Sequence, residues 1–156
     1  MDFYAAYATN PDAENEGRYF ENGDAEFLIA RGGNDRYQRM ITKQYEANKH
    51  ILDDKSSEAA KTTGEDLAKK ITIDVMSKSI LLGWRGNVMW QGKELPYSVN
   101  NAQVLLGLKD FQAWVTSKSN AYQNYLLSAE AEDEKNSVAT SSGTSNGEVA
   151  LTTSAE

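Results

Sequence analysis

Histidine and cysteine, two side chains that often act as bases, nucleophiles or metal ligands, are nearly missing from this sequence. Its 156 residues include one histidine, His50, and no cysteine. A general base needs a nucleophile and an orienting group within reach, and the residues around His50 supply neither. Two- or three-imidazole zinc sites, thiolate sites and disulfides are excluded. We therefore interpret His50 as a surface or helix-capping residue and expect no catalytic residue, no metal and no cofactor.

Carboxylates are numerous, but their spacing is not typical of a site. Asp53-Asp54, Glu65-Asp66 and the run from Glu130 to Glu134 lack the alternating acids and central glycine of a calcium loop. We interpret them as solvated charges, although a glycosidase-like pair, distant in sequence, stays open. Gly32-Gly33 and Gly83-Trp84-Arg85-Gly86 complete neither a dinucleotide fingerprint nor a phosphate-binding loop. Turn geometry accounts for both glycine groups.

The charge balance argues against nucleic acid as a partner. The chain has 16 basic and 23 acidic residues, a net charge of −7, which disfavours binding along a phosphate backbone. Arg31, Arg36, Arg39 and Lys43 form a basic strip that we interpret as a solvated face, since RNA recognition also uses stacking aromatics. We see no signal peptide, and no apolar run approaches the roughly 20 residues of a membrane span. A cytoplasmic protein without membrane contact is expected.

The elements that must position these residues begin with a hairpin and a helix. Asn22-Gly23 predicts a tight turn between two strands within residues 17–30. The segment from Gly32 to Asp35 ends the second strand and caps the first helix. Apolar residues then recur at helical spacing as far as Leu52, so this helix has one apolar face.

After a break at residues 53–57, the pattern predicts a second helix from about Glu65 that ends at Gly83. A second hairpin turns at Gln91-Gly92, and Pro96 prevents helix immediately after it. The remaining predicted elements are a helix over residues 101–106 capped by Ser98, and a last helix that is capped by Asp110 and reaches Leu126. The sum is about four helices with two short hairpins, a mainly α, small α+β fold.

Composition changes sharply after residue 128. Residues 129–156 carry six acids against one base, a net charge of −5, and the rest of this segment is rich in Ser, Thr and Gly. All 15 aromatic residues precede it. Such a segment buries too little apolar surface to offset its ordering entropy of about 1–2 kcal/mol per residue. We predict one folded domain over residues 1–128 and a disordered tail over residues 129–156.

Three aromatic residues are the candidate partner-binding side chains. Trp84, Trp90 and Tyr97 lie close together in a turn-rich segment between helices. Tryptophan and tyrosine are enriched among interface anchors, but they also pack small hairpins onto helices. We favour packing, with part of the cluster exposed.

The order of these elements resembles that of tail assembly chaperones from long-tailed bacteriophages. The similar stretches, within residues 17–127, are Ala25-Glu26-Phe27-Leu28-Ile29-Ala30-Arg31 followed by Asn34 and Tyr37, Gly83-Trp84, Gly92-Lys93-Glu94-Leu95-Pro96-Tyr97-Ser98, and Asn101-Ala102 with Leu105-Leu106. In those proteins a helix leads to Gly-Trp, a hairpin carries Gly-Lys, and Pro-Tyr/Phe-Ser opens the next helix. These motifs are structural rather than catalytic.

The resemblance implies a non-enzymatic helper in the host cell cytoplasm. It would bind the tape measure protein, keep it soluble, help recruit tail tube subunits, and leave before the virion matures. A structural tail or connector protein of the virion is the alternative, and a small phage enzyme is the third class. The sequence leaves the oligomeric state open, with a homo-oligomer among the options.

Related chaperones are commonly made in two lengths by a programmed backward slip of the ribosome. The codons GAA-AAA-AAC would encode Glu134-Lys135-Asn136 and contain the slippery heptanucleotide A-AAA-AAC. We therefore consider a frameshift at this point, against the alternative that these three residues are an ordinary part of a polar tail.

Overall fold

Contacts group the chain into two compact units in the computed structural model, which describes residues 1–128. The described part of one unit combines Met1–Asn10 with residues 122–128, and the other unit is Pro11–Ala121. The predicted tail, residues 129–156, lies outside the described residues. Its disorder and the extent of the folded domain stay predictions.

The smaller unit contains helix α1 (Phe3–Tyr7) and a 3-10 helix (Tyr122–Tyr125). Asp2 caps α1, because its carboxylate accepts hydrogen bonds from backbone N–H groups of the first turn. The N–H of Asn10 donates to the Tyr125 carbonyl at 2.9 Å and joins the two segments. The Tyr125 side chain is fully buried.

The larger unit is mainly helical and has two small antiparallel sheets, which confirms the predicted fold class. The sequence did not predict the short helix Pro11–Glu16, and the predicted first helix, which reached Leu52, divides at Asn48 into two helices. In chain order its elements are α2 (Pro11–Glu16), β1 (Arg18–Asn22), β2 (Ala25–Ile29), α3 (Asp35–Ala47), α4 (Lys49–Leu52), α5 (Glu58–Ser79), β3 (Leu81–Gly86), β4 (Met89–Trp90), β5 (Lys93–Glu94), α6 (Val99–Leu106) and α7 (Lys109–Asn120).

The first sheet contains the predicted hairpin of β1 and β2, with β3 added on the other side of β2. Its turn residues are Gly23 and Asp24, one position later than predicted, because Asn22 pairs with Ala25 in the ladder. Gly23 has φ of +63°, and a glycine at the first turn position is typical of a type II′ turn. The glycine, rather than the asparagine before it, therefore sets the register.

Alternate residues of β2 face the core of the larger unit. Ala25, Phe27 and Ile29 are buried, as the two-residue period of a strand requires. Apolar residues near the end of α5 and on α6 and α7 complete the core; among them are Met76, Ile80, Ala102, Leu105, Leu106 and Val115. The central strand is thus covered by three helices on one face.

Helix α5 begins earlier than the sequence pattern predicts. It starts at Glu58 rather than near Glu65, and the break at residues 53–57 is confirmed. The reason is an N-cap, since the Ser57 hydroxyl accepts a hydrogen bond from the N–H of Ala60 at 3.0 Å. Within residues 1–128, no helix combines the length and apolar character needed to cross a membrane.

The predicted end of this helix at Gly83 is wrong, because α5 ends at Ser79 and strand β3 follows. Leu81 pairs with Ile29, and Gly83 pairs with Leu28 across the sheet. An apolar run of this kind fits a buried strand as well as a helix, and pairing with β2 decides between them.

The later caps and turns are mostly as predicted. Gln91 and Gly92 form the second hairpin turn, both with positive φ, as a type I′ turn requires. Ser98 caps α6 through its hydroxyl. The predicted cap at Asp110 is wrong: α7 begins at Lys109, so this carboxylate lies inside the first turn, where it interacts favourably with the helix dipole. The helix ends at Asn120 rather than continuing to residue 126.

Two polar side chains hold the helices of the larger unit together. Asn34 is buried; its carbonyl oxygen caps α3, and its amide donates to the Ser79 carbonyl at the end of α5. Asp74 on α5 accepts hydrogen bonds from Gln44 of α3 at 3.1 Å and from Gln103 of α6 at 3.3 Å. These contacts set how α3 and α6 pack against α5.

Candidate functional site

The structure brings two of the three predicted site residues into direct contact. The rings of Trp84 and Tyr97 meet edge to face, with centroids 5.0 Å apart. The indole N–H of Trp84 donates to the Leu95 carbonyl at 2.9 Å, and the Tyr97 hydroxyl donates to the Leu81 carbonyl at 3.0 Å. Both polar groups therefore fasten the segment after β5 onto β3.

Tyr97 is half-buried by this arrangement, and the burial raises the pKa of its hydroxyl above the usual value. The neighbouring residues prepare the start of α6, because Ser98 caps the helix and Asn101 donates to the Pro96 carbonyl at 2.8 Å. The segment Pro96-Tyr97-Ser98 therefore connects the second hairpin to α6 and has a structural role.

Trp84 also belongs to a larger aromatic cluster in the core of the larger unit. Its ring lies 5.9 Å from that of Phe27, centroid to centroid. Phe27 in turn meets Phe111 at 5.1 Å and Trp114 at 5.7 Å, both edge to face. Such pairs add about 0.5–1.5 kcal/mol each beyond the apolar area that they bury. The main role of Trp84 is therefore to pack the core of the larger unit.

Trp90 occupies a different environment at the end of β4. It is half-buried against the core, and its neighbour Met89 is 48% exposed. Adjacent residues of a strand point to opposite faces, so Met89 lies on the outer face of the hairpin. Among the described residues, Trp84 takes part in the ring contacts and Trp90 does not. Trp90 and Met89 are thus the more available side chains of this segment.

The residues that the sequence suggested as solvated charges lie on the surface. His50 is exposed in the short helix α4, and Arg36, Arg39 and Lys43 are exposed along α3. Arg31 differs from them, because it forms an ion pair with Glu14 and is partly buried. Within residues 1–128, no three carboxylate or imidazole groups come close enough to hold a metal ion.

A groove that sequence reasoning missed runs along the side of α5, and we call it the α4–α5 groove. It has a volume of about 430 Å³ and is lined by the end of α3, by α4 and the loop after it, and by the first half of α5. Gly64 is buried where the helices approach, and a Cβ there would lie 3.1 Å from the Ile51 carbonyl oxygen. The lining residues are Tyr45, Glu46, Lys49, Leu52, Asp53, Lys55, Gly64, Glu65 and Ala68.

The smaller unit carries a second surface that was missed, which we call the α1 aromatic surface: Phe3, Tyr4 and Tyr7. Their exposed fractions are 68%, 73% and 52%. The ring of Tyr7 stacks on Tyr122 at 5.3 Å, and Phe3 stacks on Tyr7 at 6.1 Å. The composition of residues 1–7 was the available signal, but only the structure shows that these rings are exposed together.

Comparison with known proteins relates the chain to a phage family. The family model described as YdaY prophage protein matches residues 33–136, from the turn before α3 to a point beyond the described residues. Neither a curated protein nor a solved structure matches the chain. The matched range includes the Trp84–Tyr97 contact and the α4–α5 groove but not the α1 aromatic surface.

Proposed function

Since the chain belongs to the family of YdaY prophage proteins and is therefore of phage origin, we propose that it is a tail assembly chaperone. In this proposal it binds the tape measure protein in the host cell cytoplasm, keeps that protein soluble, and helps recruit tail tube subunits. It acts without catalysis and is absent from the mature virion. A phage protein of this kind needs surfaces for partners rather than a reactive centre.

The observation that carries the proposal is the arrangement of the motifs that resemble those of tail assembly chaperones. Gly83-Trp84 lies on β3, the Gly92-Lys93 stretch turns the hairpin, and Pro96-Tyr97-Ser98 opens α6. The hydrogen bonds of Trp84 and Tyr97 join these three motifs into one unit. The residues that carry the resemblance therefore depend on each other in the fold of this chain.

The polar groups of this unit also favour a structural role over catalysis. The Trp84 and Tyr97 donors both bind backbone carbonyls, and the Ser98 hydroxyl accepts from a backbone N–H. The observed partners of all three side chains are backbone groups, as expected of residues that hold a fold together. The partly exposed Trp90 and the exposed Met89 are the side chains here that suit contact with an apolar helix.

Co-expression with the tape measure protein of the same prophage tests this proposal. We expect the tape measure protein to become soluble and to be recovered with the tagged chain. Trp90→Ala should reduce that recovery while leaving the circular dichroism spectrum unchanged. Lys93→Ala, an exposed change in the same hairpin, serves as the matched control and should not reduce recovery.

Two results would contradict the proposal. An equally insoluble tape measure protein with and without the chain would exclude the chaperone role. Stoichiometric amounts of the chain in purified mature particles would instead support a structural protein of the virion.

A further inference from the structure

We propose that the chain forms a symmetric dimer in which strand β1 (Arg18–Asn22) of one copy pairs antiparallel with β1 of a second copy. This inference does not depend on the chaperone role. It follows from the three-stranded sheet of the larger unit, because one edge of that sheet is covered and the other offers unpaired backbone groups. The partner is a second copy, since the open edge is complementary to itself.

The two edges of this sheet differ. At the β3 edge, residues 95–97 lie beside the strand, because the Leu95 carbonyl accepts a hydrogen bond from Trp84 and the Leu81 carbonyl accepts one from Tyr97. Strand β1, at the other edge, has a neighbouring strand, β2, on one side only. An edge strand of this kind is a template on which a further strand can pair.

The outward-facing backbone groups of β1 are those of Tyr19 and Glu21. In an antiparallel ladder, residues that lie opposite each other alternate between hydrogen-bonded and non-hydrogen-bonded pairs. The two-residue turn makes Asn22 and Ala25 a hydrogen-bonded pair. Tyr19 and Glu21 therefore direct their N–H and carbonyl groups away from β2. Neither residue has a backbone hydrogen bond to another segment of the described chain.

One register of two β1 strands pairs all of these groups. It places Tyr19 of each copy opposite Glu21 of the other, with a twofold axis at Phe20. Each Tyr19–Glu21 pair then exchanges both of its N–H···O hydrogen bonds. A shift in one direction would bring two Glu21 side chains, which carry like charges, opposite each other. The opposite shift would leave Glu21 facing Gly17, which lies outside the strand.

The charges on the outer face of the sheet favour a second copy in this register. The Glu21 carboxylate forms no ion pair or hydrogen bond among the described residues, and it lies opposite Glu26 in its own chain. Arg85 binds Glu26 at 2.6 Å, and its guanidinium lies 3.7 Å from the centroid of the Tyr19 ring. Glu21 of the second copy would lie beside that ring. It would therefore gain a nearby cation whose side chain is 57% exposed.

The other charges close to β1 do not oppose this pairing directly. Arg18 faces the neutral Asn22 of the second copy, and the acids Glu16 and Asp24 lie beyond the two ends of the strand. Repulsion between two chains of net charge −7 is screened at physiological ionic strength, where the Debye length is about 8 Å. Five residues per copy form a small interface, so we expect a dimer that dissociates on dilution.

Analytical ultracentrifugation over a range of concentrations tests the association. We expect the wild-type mass to rise from that of one chain, 17.3 kDa, toward twice that value and no further. Glu21→Pro removes an outward N–H and should stay monomeric; proline is tolerated on an edge strand where the N–H faces solvent. Glu21→Ala, the matched control, keeps the N–H but loses the charge, and it should weaken the dimer about fivefold.

Glu21→Lys separates pairing from folding. The new lysine would face Glu26 in its own chain and stabilise the hairpin, but it would also lie near Arg85 of the second copy. We expect a urea midpoint no lower than that of the wild type, together with a dissociation constant of the dimer that rises about tenfold. Circular dichroism checks that each variant folds.

Amide hydrogen exchange locates the contact. The N–H groups of Tyr19 and Glu21 should become protected only at concentrations at which the wild type dimerises. A dimer without this protection would overturn the inference, because the copies would then meet elsewhere.

A wild type that is monomeric at every concentration would also overturn the inference, as would a Glu21→Pro variant that folds and dimerises like the wild type. Protection of these amides by the tape measure protein, with the chain alone monomeric, would overturn it too, because the edge would then pair with another protein. That outcome would leave the proposed function standing.

Discussion

Trp84 and Trp90 provide the sharpest test of how the hairpin is held. Trp84→Ala removes an indole that donates to the Leu95 carbonyl and contacts the rings of Phe27 and Tyr97. Trp84→Phe retains a ring but loses the N–H donor. Trp90→Ala is the matched control, because it makes the same truncation at a half-buried indole without ring contacts among the described residues.

The expected losses of stability follow from these contacts. Replacing a fully buried tryptophan by alanine costs about 3–5 kcal/mol, and half-burial places Trp84→Ala near the lower end, at about 3 kcal/mol. Trp84→Phe should cost about 1–1.5 kcal/mol, chiefly for the lost hydrogen bond. Trp90→Ala loses partly buried contacts with the core but neither a ring contact nor an indole hydrogen bond among the described residues, so we expect a smaller loss of about 1 kcal/mol.

Urea unfolding followed by far-ultraviolet circular dichroism measures these differences without depending on tryptophan fluorescence. The order of stability should be wild type, then Trp84→Phe and Trp90→Ala together, then Trp84→Ala. Equal losses in the two alanine variants would refute our assignment of Trp84 as the packing residue. A loss in Trp84→Phe as large as in Trp84→Ala would show that the ring contributes little.

Four further predictions concern the fold and the tail. Asp74→Ala should lower the free energy of unfolding by about 2 kcal/mol, because it removes the acceptor shared by glutamines of α3 and α6; urea unfolding beside an exposed Asp66→Ala control measures this. Gly86→Ala should cost more stability than Gly92→Ala, since both have positive φ but only at Gly86 does a Cβ meet backbone, 2.6 Å from an oxygen; a smaller loss at Gly86 than at Gly92 would contradict that reasoning. Deleting residues 129–156 should leave the thermal midpoint unchanged, and a fall of about 4 °C, equivalent to roughly 1 kcal/mol, would show that the tail packs. Reading the gene tests the slip site: GAG-AAG-AAT for residues 134–136, or no open −1 frame downstream, would exclude it.

Several features were predictable because their signals are local. The caps at Asn34 and Ser98 act on N–H groups three residues away. The Gln91-Gly92 turn depends on two adjacent backbone conformations. The mainly α class follows from apolar spacing along single helices. None of these features requires knowledge of distant partners.

The features that were predicted wrongly depend instead on residues that are distant in the sequence. The run from Ile80 to Trp84 fits the end of a helix when only its neighbours are considered. Its strand conformation depends on Ile29, more than 50 positions away, with which Leu81 pairs. Local apolar pattern cannot distinguish a buried helix end from a buried strand, so the partner decides.

Some properties of the candidate site could likewise be predicted from the sequence, and others could not. The sequence by itself identified Trp84, Trp90 and Tyr97 as a cluster, because their proximity along the chain is visible there. It also determined the single histidine, the lack of cysteine and the acidic charge, which limit the chemistry. Only the tertiary structure decided that Trp84 and Tyr97 donate to backbone carbonyls, and that α3, α4 and α5 leave a groove between them. The reason is physical: a hydrogen bond or a concave surface between separate elements exists only once packing has set their distances.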